Sequence, residues 1–442
     1  MKKVLYFSGS FDPIHNGHLA MLKYAIRELK LDKIVVIVTN NAPLKTGHYL
    51  DACKRFELVK LALHDDLILK DICEVSNIDL NSGKEYNYSV QTLSKLINKD
   101  EESYFMIGSD QVNKFEEWKD PLKISKLVQI IALKRKSDPI NVELVKKYDM
   151  KLFDVFDYKM SSTEFRNFKK LDVPFIVLET IYKNKWYWGK LLFGFLKTDK
   201  YLHSLNVANI SRNIALSNKL EDKLSLDKIY RAALLHDIGK YFVKPIKSLS
   251  TVVKDIDKLG YAPLNSNIKS FDVRKYNDFI KLTAMDTDEP CIHAVSSMYL
   301  ALNIFNQGGQ DDILEAIYFH CTANDHLSTL AKLIYSADKV DVRVGREGSE
   351  AAFRAYKAKN ERLYGELCKN LDKGFVETLD SNIQYLMSKN PDYIPHNPQT
   401  DKAVRKYCSE STREAYFDGY EDGESDTLDL EDLVLLDEFD IL

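Results

Sequence analysis

The stretch GSFDPIHNGH (residues 9–18) sets two histidines, His15 and His18, three apart after a glycine turn. At a helix start, side chains at i and i+3 face the same side. Histidine pairs often hold a metal, yet no Cys or Glu stands nearby at a spacing that would complete one. The surroundings suit an anion instead. An apolar strand ends at Gly9 and a helix follows, and the N–H groups and dipole of a helix start attract phosphate. Gly9 and Gly17 permit a close approach, and each imidazole can donate a hydrogen bond to an oxyanion.

A His-Asp pair occurs twice. His64-Asp65 stands alone and reads as a surface helix end. His236-Asp237 has company: His203, His293, His320 and Asp338 all lie in stretches of helical spacing. One buried histidine is ordinarily a satisfied core residue. Four on helices, with two aspartates, call for another account. Neutral imidazoles and carboxylates suit iron, manganese or another borderline divalent ion. Lys240, one turn after His236 on the same face, could reach a phosphate. His48, His326 and His396 read as ordinary loop or surface residues.

The elements that must position these residues differ between the two halves. Up to about residue 180, strand and helix patterns alternate: KKVLYFSG, KIVVIVT, SYFMIGSD and LVQIIAL as strands, DACKRFELVKLAL as an amphipathic helix, SSTEFRNF as a helix start. That alternation predicts an α/β, Rossmann-like domain, a parallel sheet with helices on both faces. Ligands of such sheets bind at the carboxyl ends of the strands. Beyond residue 190 only helical spacing remains, and the expected second domain is all-α. The expected domains are 1–189, 190–390 and an acidic tail over 391–442. Glu421–Leu442 carries ten Asp/Glu and no Lys or Arg. It reads as a solvated tail or, alternatively, a docking peptide.

At 442 residues the chain is too long for one ordinary core. A net charge of −4 gives no basic field for nucleic acid. No apolar run is long enough to span a bilayer. WYWGKLLFGFL (186–196) reads as a packed linker helix, and residues 1–10 as a short strand with no apolar leader. The six cysteines form no CxxC pair, so reduced thiols in a cytoplasmic protein are expected. The sequence leaves the oligomeric state open.

His15-Asn16-Gly17-His18 matches the HxGH pattern of the nucleotidyltransferase superfamily, and GSFDPIHNGH resembles the bacterial nicotinate mononucleotide adenylyltransferases. NNAPLK, KRFELVKLAL, YNYSVQTL, FMIGSD with EEWKD, LKRK and SSTEFR follow in that family's order, so the resemblance covers residues 1 to about 188. It implies transfer of AMP from ATP to nicotinate mononucleotide with release of pyrophosphate, Mg²⁺ arriving with the ATP. It places His15 and His18 as the catalytic phosphate binders, with Gly9, Ser10, Phe11, Lys45, Arg135, Ser161, Ser162 and Arg166 on the ATP side. Gly108 and Asp110 fall by the adenosine, and Trp118, Tyr88 and Ser89 at the pyridine ring. Leu44 and Gln91 stand where the family has His and Asp, which leaves acid against amide on the pyridine open.

The order His…His-Asp…His…His…Asp resembles the HD metal-dependent phosphohydrolases. KTDKYLHSLNVANIS, AALLHDIGK, CIHAVSSMYLA, IYFHCTA and LIYSADKVDVRVGR are similar to the YqeK-type proteins, which split diadenosine tetraphosphate symmetrically into two ADP. The resemblance implies that His203, His236, Asp237 and Asp338 hold one divalent metal, iron before manganese. His293 and His320 would add a second, bridged by Asp237, the catalytic carboxylate. Cys321 stands where that family prefers threonine, and either Arg343 or Arg346 takes the place of its arginine. Rival readings are another nucleotide substrate or a nucleotide-binding regulator. A stray transfer of AMP to ATP in the first domain would make the second domain's substrate.

Overall fold

The computed structural model describes residues 1–41, 48–83, 86–134, 139–154, 158, 160–254, 261–284, 291–342, 350–389 and 397–418. The chain divides into two units: Met1–Arg166 with Asp172–Tyr187, and Asn167–Leu171 with the chain from Trp188 onward.

The first unit contains β1 (Lys2–Gly9), α1 (Asn16–Leu29), β2 (Lys33–Val38), α2 (Ala52–Asp65), β3 (Cys73–Ser76), α3 (Ser89–Leu96), β4 (Glu101–Gly108) and α4 (Ser109–Val112). It continues with α5 (Pro121–Leu127), β5 (Gln129–Lys134), α6 (Val142–Lys147), β6 (Lys151–Asp154), α7 (Ser162–Arg166) and α8 (Phe175–Lys183). The six strands form one sheet in the order β3-β2-β1-β4-β5-β6, every pair parallel. In β1 the consecutive residues Val4, Leu5, Tyr6 and Phe7 are all buried, as a strand covered on both faces requires. The order reverses between β1 and β4. Their carboxyl ends, Gly9 and Gly108, therefore flank the switch point where such sheets bind ligands.

The parallel α/β architecture expected from the pattern is present. Two strands escaped the pattern, CEVS (β3) and KLFD (β6), both four residues long and both at a sheet edge. An edge strand is short and only partly covered, so it carries no continuous apolar run to detect.

The second unit has no strand among its described residues. It contains α9 (Gly189–Ser217), α10 (Leu226–Leu235), α11 (Ala262–Ser270), α12 (Val273–Ala284), α13 (Ile292–Ile304), α14 (Asp311–Tyr318), α15 (Thr329–Val340), α16 (Glu350–Lys369) and α17 (Leu371–Lys389). Ser225 and Ser328 cap α10 and α15 by accepting from N–H groups three residues on. Every residue of α13 from Ile292 to Ala301 is buried, which makes it the central helix. α9 breaks at Lys197 (φ 57°, ψ −177°), six residues before His203. Trp188, Leu191, Leu192, Phe195 and Leu196 of the aromatic stretch are fully buried, and Trp188 meets Phe168 edge-on at 4.8 Å. α18 (Pro398–Tyr407) and α19 (Glu410–Tyr416) lie within the span read as acidic tail; Asn397 and Ser409 cap them. Tyr416 of α19 donates to Asp401 of α18 at 2.9 Å. The acidic run itself lies outside the described residues. No helix among those described is long and apolar enough to cross a membrane.

Candidate functional site

The β1–α1 loop carries the first constellation. His15 caps α1, and its backbone N–H donates to Nδ1 of His18 at 3.2 Å. Because Nδ1 accepts, the proton of a neutral His18 sits on Nε2. The two imidazoles stack with centroids 3.7 Å apart, and the Phe11 ring meets His18 edge-on at 5.1 Å. Phe11 adopts φ +46°, the left-handed region that L residues rarely occupy. A Cβ at Gly9 would lie 2.8 Å from the Phe11 ring, and one at Gly17 would lie 2.9 Å from Tyr158 and 3.0 Å from His15. Both glycines thus make room for rings of the protein itself.

Side chains distant in sequence pin this loop. The buried Arg55 of α2 donates to the carbonyls of Ser10, Leu50 (3.1 Å), Thr39 (2.8 Å) and Asn40 (2.9 Å), tying the ends of β1 and β2 together. Asp12 accepts from the Tyr187 hydroxyl at 2.6 Å and the Tyr49 N–H at 2.9 Å. Asn16 donates to Asp172 at 2.7 Å, and Asp172 also accepts from Tyr158 at 2.7 Å. Ser162 donates to the Pro13 carbonyl at 2.9 Å, and Arg166 to the Asp12 carbonyl at 2.5 Å. α7 is thereby bound to the histidine loop, and Arg166 lies over the Tyr49 ring at 4.9 Å. Ser161 accepts from the Glu164 N–H at 3.2 Å while its own N–H donates to Glu164 at 2.8 Å. That is a capping box.

Across the switch point, Gly108 ends β4 and caps α4, which carries Asp110. Trp118 packs on Phe115 (5.4 Å) and Phe105 (6.1 Å), and its Nε1 is buried without a hydrogen-bond partner. Tyr88 borders the same apolar cluster, and Lys119 lies over its ring at 4.6 Å. Ser89 opens α3 directly after Tyr88. Lys45 and Arg135 lie outside the described residues.

In the second unit, the six residues singled out in the sequence meet in two adjoining groups. His203 (α9) approaches Asp338 (α15) at 2.9 Å and His236, just after α10, at 3.3 Å. His293 (α13) and His320, after α14, bring their Nε2 atoms within 3.2 Å. Asp237 joins the groups. Its Oδ1 lies 3.3 Å from His293 and 3.5 Å from His320, and its Oδ2 lies 4.0 Å from His203, buried with no hydrogen bond. Lys240 reaches both Asp237 (3.3 Å) and His293 (3.4 Å).

The far nitrogens explain how these rings are aimed. Nδ1 of His236 lies 2.7 Å from the Ala233 carbonyl, and Nδ1 of His320 lies 2.6 Å from that of Ile317. A carbonyl only accepts, so each Nδ1 carries hydrogen and each Nε2 points to the centre. Nδ1 of His203 donates to the buried Asp341 at 2.6 Å. This arrangement fixes tautomer and direction in metal-ligating histidines. Burial pushes His236 down to about 3, leaving it neutral. Burial opposes charge on Asp338, but Lys339 and His203 outweigh it and hold the carboxyl well below its usual range. Burial likewise pulls His320 down, yet Cys321 and Asp237 carry it up to about 10. Converging imidazoles, ionised carboxylates and the orphaned Asp237 oxygen fit a divalent metal centre.

Sequence reading missed Arg55, Asp12, Asp172 and Asp341. Arg55 had a signal, a charge on the apolar stripe of α2. Asp341, three residues after Asp338, had a weaker one. His48, read as an ordinary loop residue, lies 3.9 Å from Asp12. His326 is exposed, as expected.

The two units define a nucleotidyltransferase-type α/β domain and an HD-type helical domain. The cytidylyltransferase-like family model matches residues 6–168, and the HD domain model matches residues 201–343. A probable nicotinate-nucleotide adenylyltransferase of Aquifex aeolicus is 33% identical over 174 residues, 36% of this chain and 99% of that protein. Probable nicotinate-nucleotide adenylyltransferase/Ap4A hydrolases of Mycoplasma genitalium and Mycoplasma pneumoniae run through both domains. The first is 26% identical over 77% of this chain and 87% of that protein. The second is 23% identical over 86% of this chain and 100% of that protein. The chain belongs to the nicotinate-nucleotide adenylyltransferase family, here joined to an HD domain.

Proposed function

We propose that the chain is a bifunctional enzyme. Its first domain, residues 1–189, transfers AMP from ATP to nicotinate mononucleotide; its HD domain, residues 190–390, splits diadenosine tetraphosphate into two ADP. The observation that carries the reading is the pairing, in one chain, of the HxGH loop at the sheet's switch point with a buried His/Asp cluster. Relatives named for both activities match across 77% and 86% of this chain.

In the first reaction a phosphate oxygen of the mononucleotide attacks the α-phosphorus of ATP. A new P–O bond forms as the bond to pyrophosphate breaks, so no covalent enzyme intermediate is needed. The chain then supplies position and charge stabilisation. His18 presents Nε2–H to a phosphate oxygen, and His15 stacks beside it. Arg166 adds a cation from α7, which Ser162 holds against the loop. Ser161 supports that helix through its cap. Gly9, Ser10 and Phe11 form the loop floor, and Gly108 and Asp110 the opposite wall by the adenosine. Trp118, with Tyr88 and Ser89, borders the pyridine pocket, and its unpartnered Nε1 supplies a donor there. Lys45 and Arg135 are assigned to the ATP phosphates by family resemblance. Mg²⁺ enters as part of the ATP substrate.

In the HD domain, His203, His236, Asp237 and Asp338 would hold one divalent ion, and His293 and His320, with Asp237 shared, a second. Such ions supply Lewis acidity to phosphoryl chemistry. We assign iron first and manganese second, as imidazole and carboxylate donors allow. Lys240 holds a cation at the rim, where a phosphate oxygen would arrive. All six cysteines are thiols rather than disulfides, which supports the cytoplasmic setting proposed for the chain.

The test is the full chain incubated with ATP and Mg²⁺ plus each pyridine mononucleotide, and separately with diadenosine tetraphosphate plus Fe²⁺ or Mn²⁺, followed by chromatography. The expected products are the nicotinate dinucleotide with pyrophosphate, and ADP alone. A preference for the amide mononucleotide would overturn the substrate assignment. No turnover of any dinucleoside polyphosphate would sink the hydrolase reading.

A further inference from the structure

Four atoms at one end of the histidine cluster sit at nearly equal separations. Nε2 of His293 and Nε2 of His320 are 3.2 Å apart. Sγ of Cys321 lies 3.2 Å from each of them. Oδ1 of Asp237 lies 3.3 Å from His293 and 3.5 Å from His320. These are five of the six edges of a tetrahedron. Ligands about 2.0–2.3 Å from a metal in tetrahedral geometry have edges of about 3.3–3.8 Å, just above these separations.

A single thiol proton does not account for this packing. A thiol carries one proton and can serve one acceptor, yet Sγ is equidistant from two imidazole nitrogens. Nδ1 of His320 is engaged by the Ile317 carbonyl, so Nε2 is the ring atom turned to the cluster. The second oxygen of Asp237, buried and without a hydrogen bond, points to the neighbouring His203 group. Cys291, the N-cap of α13, also hydrogen-bonds Cys321.

We infer that the Cys321 thiolate is itself a metal ligand, completing an N₂OS position with His293, His320 and Asp237. This rests on the reading of the cluster as a metal centre and goes beyond it. The two positions then differ in kind. The His203–His236–Asp338 position offers only nitrogen and oxygen, whereas the Cys321 position includes a soft sulfur. Thiolate favours zinc, iron or cobalt over manganese or magnesium. Two different metals, or one metal at two affinities, follow from that asymmetry.

The test uses the full-length protein stripped of metal and titrated with Co²⁺, the bound metal being counted by elemental analysis. A near-ultraviolet sulfur-to-cobalt charge-transfer band is expected in the unmodified protein and in Cys291→Ser. It should be absent from Cys321→Ser, while that variant keeps visible cobalt bands from the other position. Two bound equivalents without the band, or a band that survives in Cys321→Ser, would overturn the inference and leave the metal centre standing. Failure to bind cobalt at all, with Asp237→Ala indistinguishable, would instead overturn the metal centre. A check needing no variant is alkylation followed by peptide mass spectrometry. Cobalt should slow modification of Cys321 by about 10-fold or more, since a ligated thiolate is a poor nucleophile. The exposed Cys53 should be unaffected. Equal rates at Cys321 with and without cobalt would count against ligation.

Discussion

The loop from Gly9 to His18 places two imidazoles within one turn of helix, whereas His203 and Asp338 meet at 2.9 Å across 135 residues of chain. In the first site a short segment presents the donors, and the rest of the unit holds that segment still. Arg55, Tyr187, Asp172 and Ser162 bind its backbone or side chains from outside the segment. In the second site the side chains lie on or just after five helices, α9, α10, α13, α14 and α15, and the helices themselves are the scaffold. His293 rides on the buried central helix, and His236 and His320 follow helices that end where they begin to point inward. A loop site can be retuned by changing a neighbour. A convergent cluster fails when one member is lost, because the others remain buried around a missing charge.

That contrast predicts the largest effect at the shared carboxylate. Asp237→Ala removes the group that joins the two histidine groups. Hydrolysis should fall by at least about 10³-fold, the several kcal/mol of a Lewis-acid site expressed as a rate. Bound metal, counted by elemental analysis, should fall with it, and adenylyl transfer by the same preparation should be unchanged. Treatment with a chelator, followed by Mg²⁺ alone, should reproduce that split without any mutation.

The reciprocal variant is His18→Ala. Losing one donor aimed at developing charge costs about 10²–10³-fold in rate. The loss should appear in kcat for dinucleotide formation, with diadenosine tetraphosphate hydrolysis untouched. If both activities fall together in either variant, the two sites are not the independent constructions described above.

The two sites were also unequally legible. HxGH is a local motif, and local sequence carries both its glycine turn and its helix start. The cluster was legible only as an order of residues along the chain. The two short edge strands left too little apolar pattern to register. The residues that aim or clamp were the least visible. Asp341 acts through His203, and Arg55 acts through backbone carbonyls that any residue could supply. Cys321 drew notice as a departure from a family pattern, while its 3.2 Å contacts with two imidazoles depend on how α13 and α14 pack.

Asp341 sharpens the comparison at an intermediate scale. Its carboxylate holds Nδ1 of His203, so Asp341→Asn should keep the fold and weaken the aim. Outer-shell partners of this kind are worth about 10–100-fold in metal affinity. Competition with a chromophoric chelator would measure the loss, and circular dichroism would confirm an intact helical unit. Adenylyl transfer should again be indifferent.

The smallest effect falls in the first unit, at Ser161. Family resemblance places it on the departing pyrophosphate, yet its hydroxyl is committed to Glu164 in the capping box. Alanine there should cost about 1 kcal/mol, the ordinary worth of an N-cap, and thermal unfolding of the first unit should move down by a few degrees. Threonine should restore it, because it keeps the accepting oxygen. Ser162, held to the Pro13 carbonyl, supplies the internal contrast, since its loss frees α7 from the histidine loop rather than fraying the helix start. If Ser161 acts only as a cap, alanine leaves the KM for ATP unchanged while stability falls. A rise in KM that threonine rescues would show that the same hydroxyl turns from Glu164 to phosphate when ATP binds.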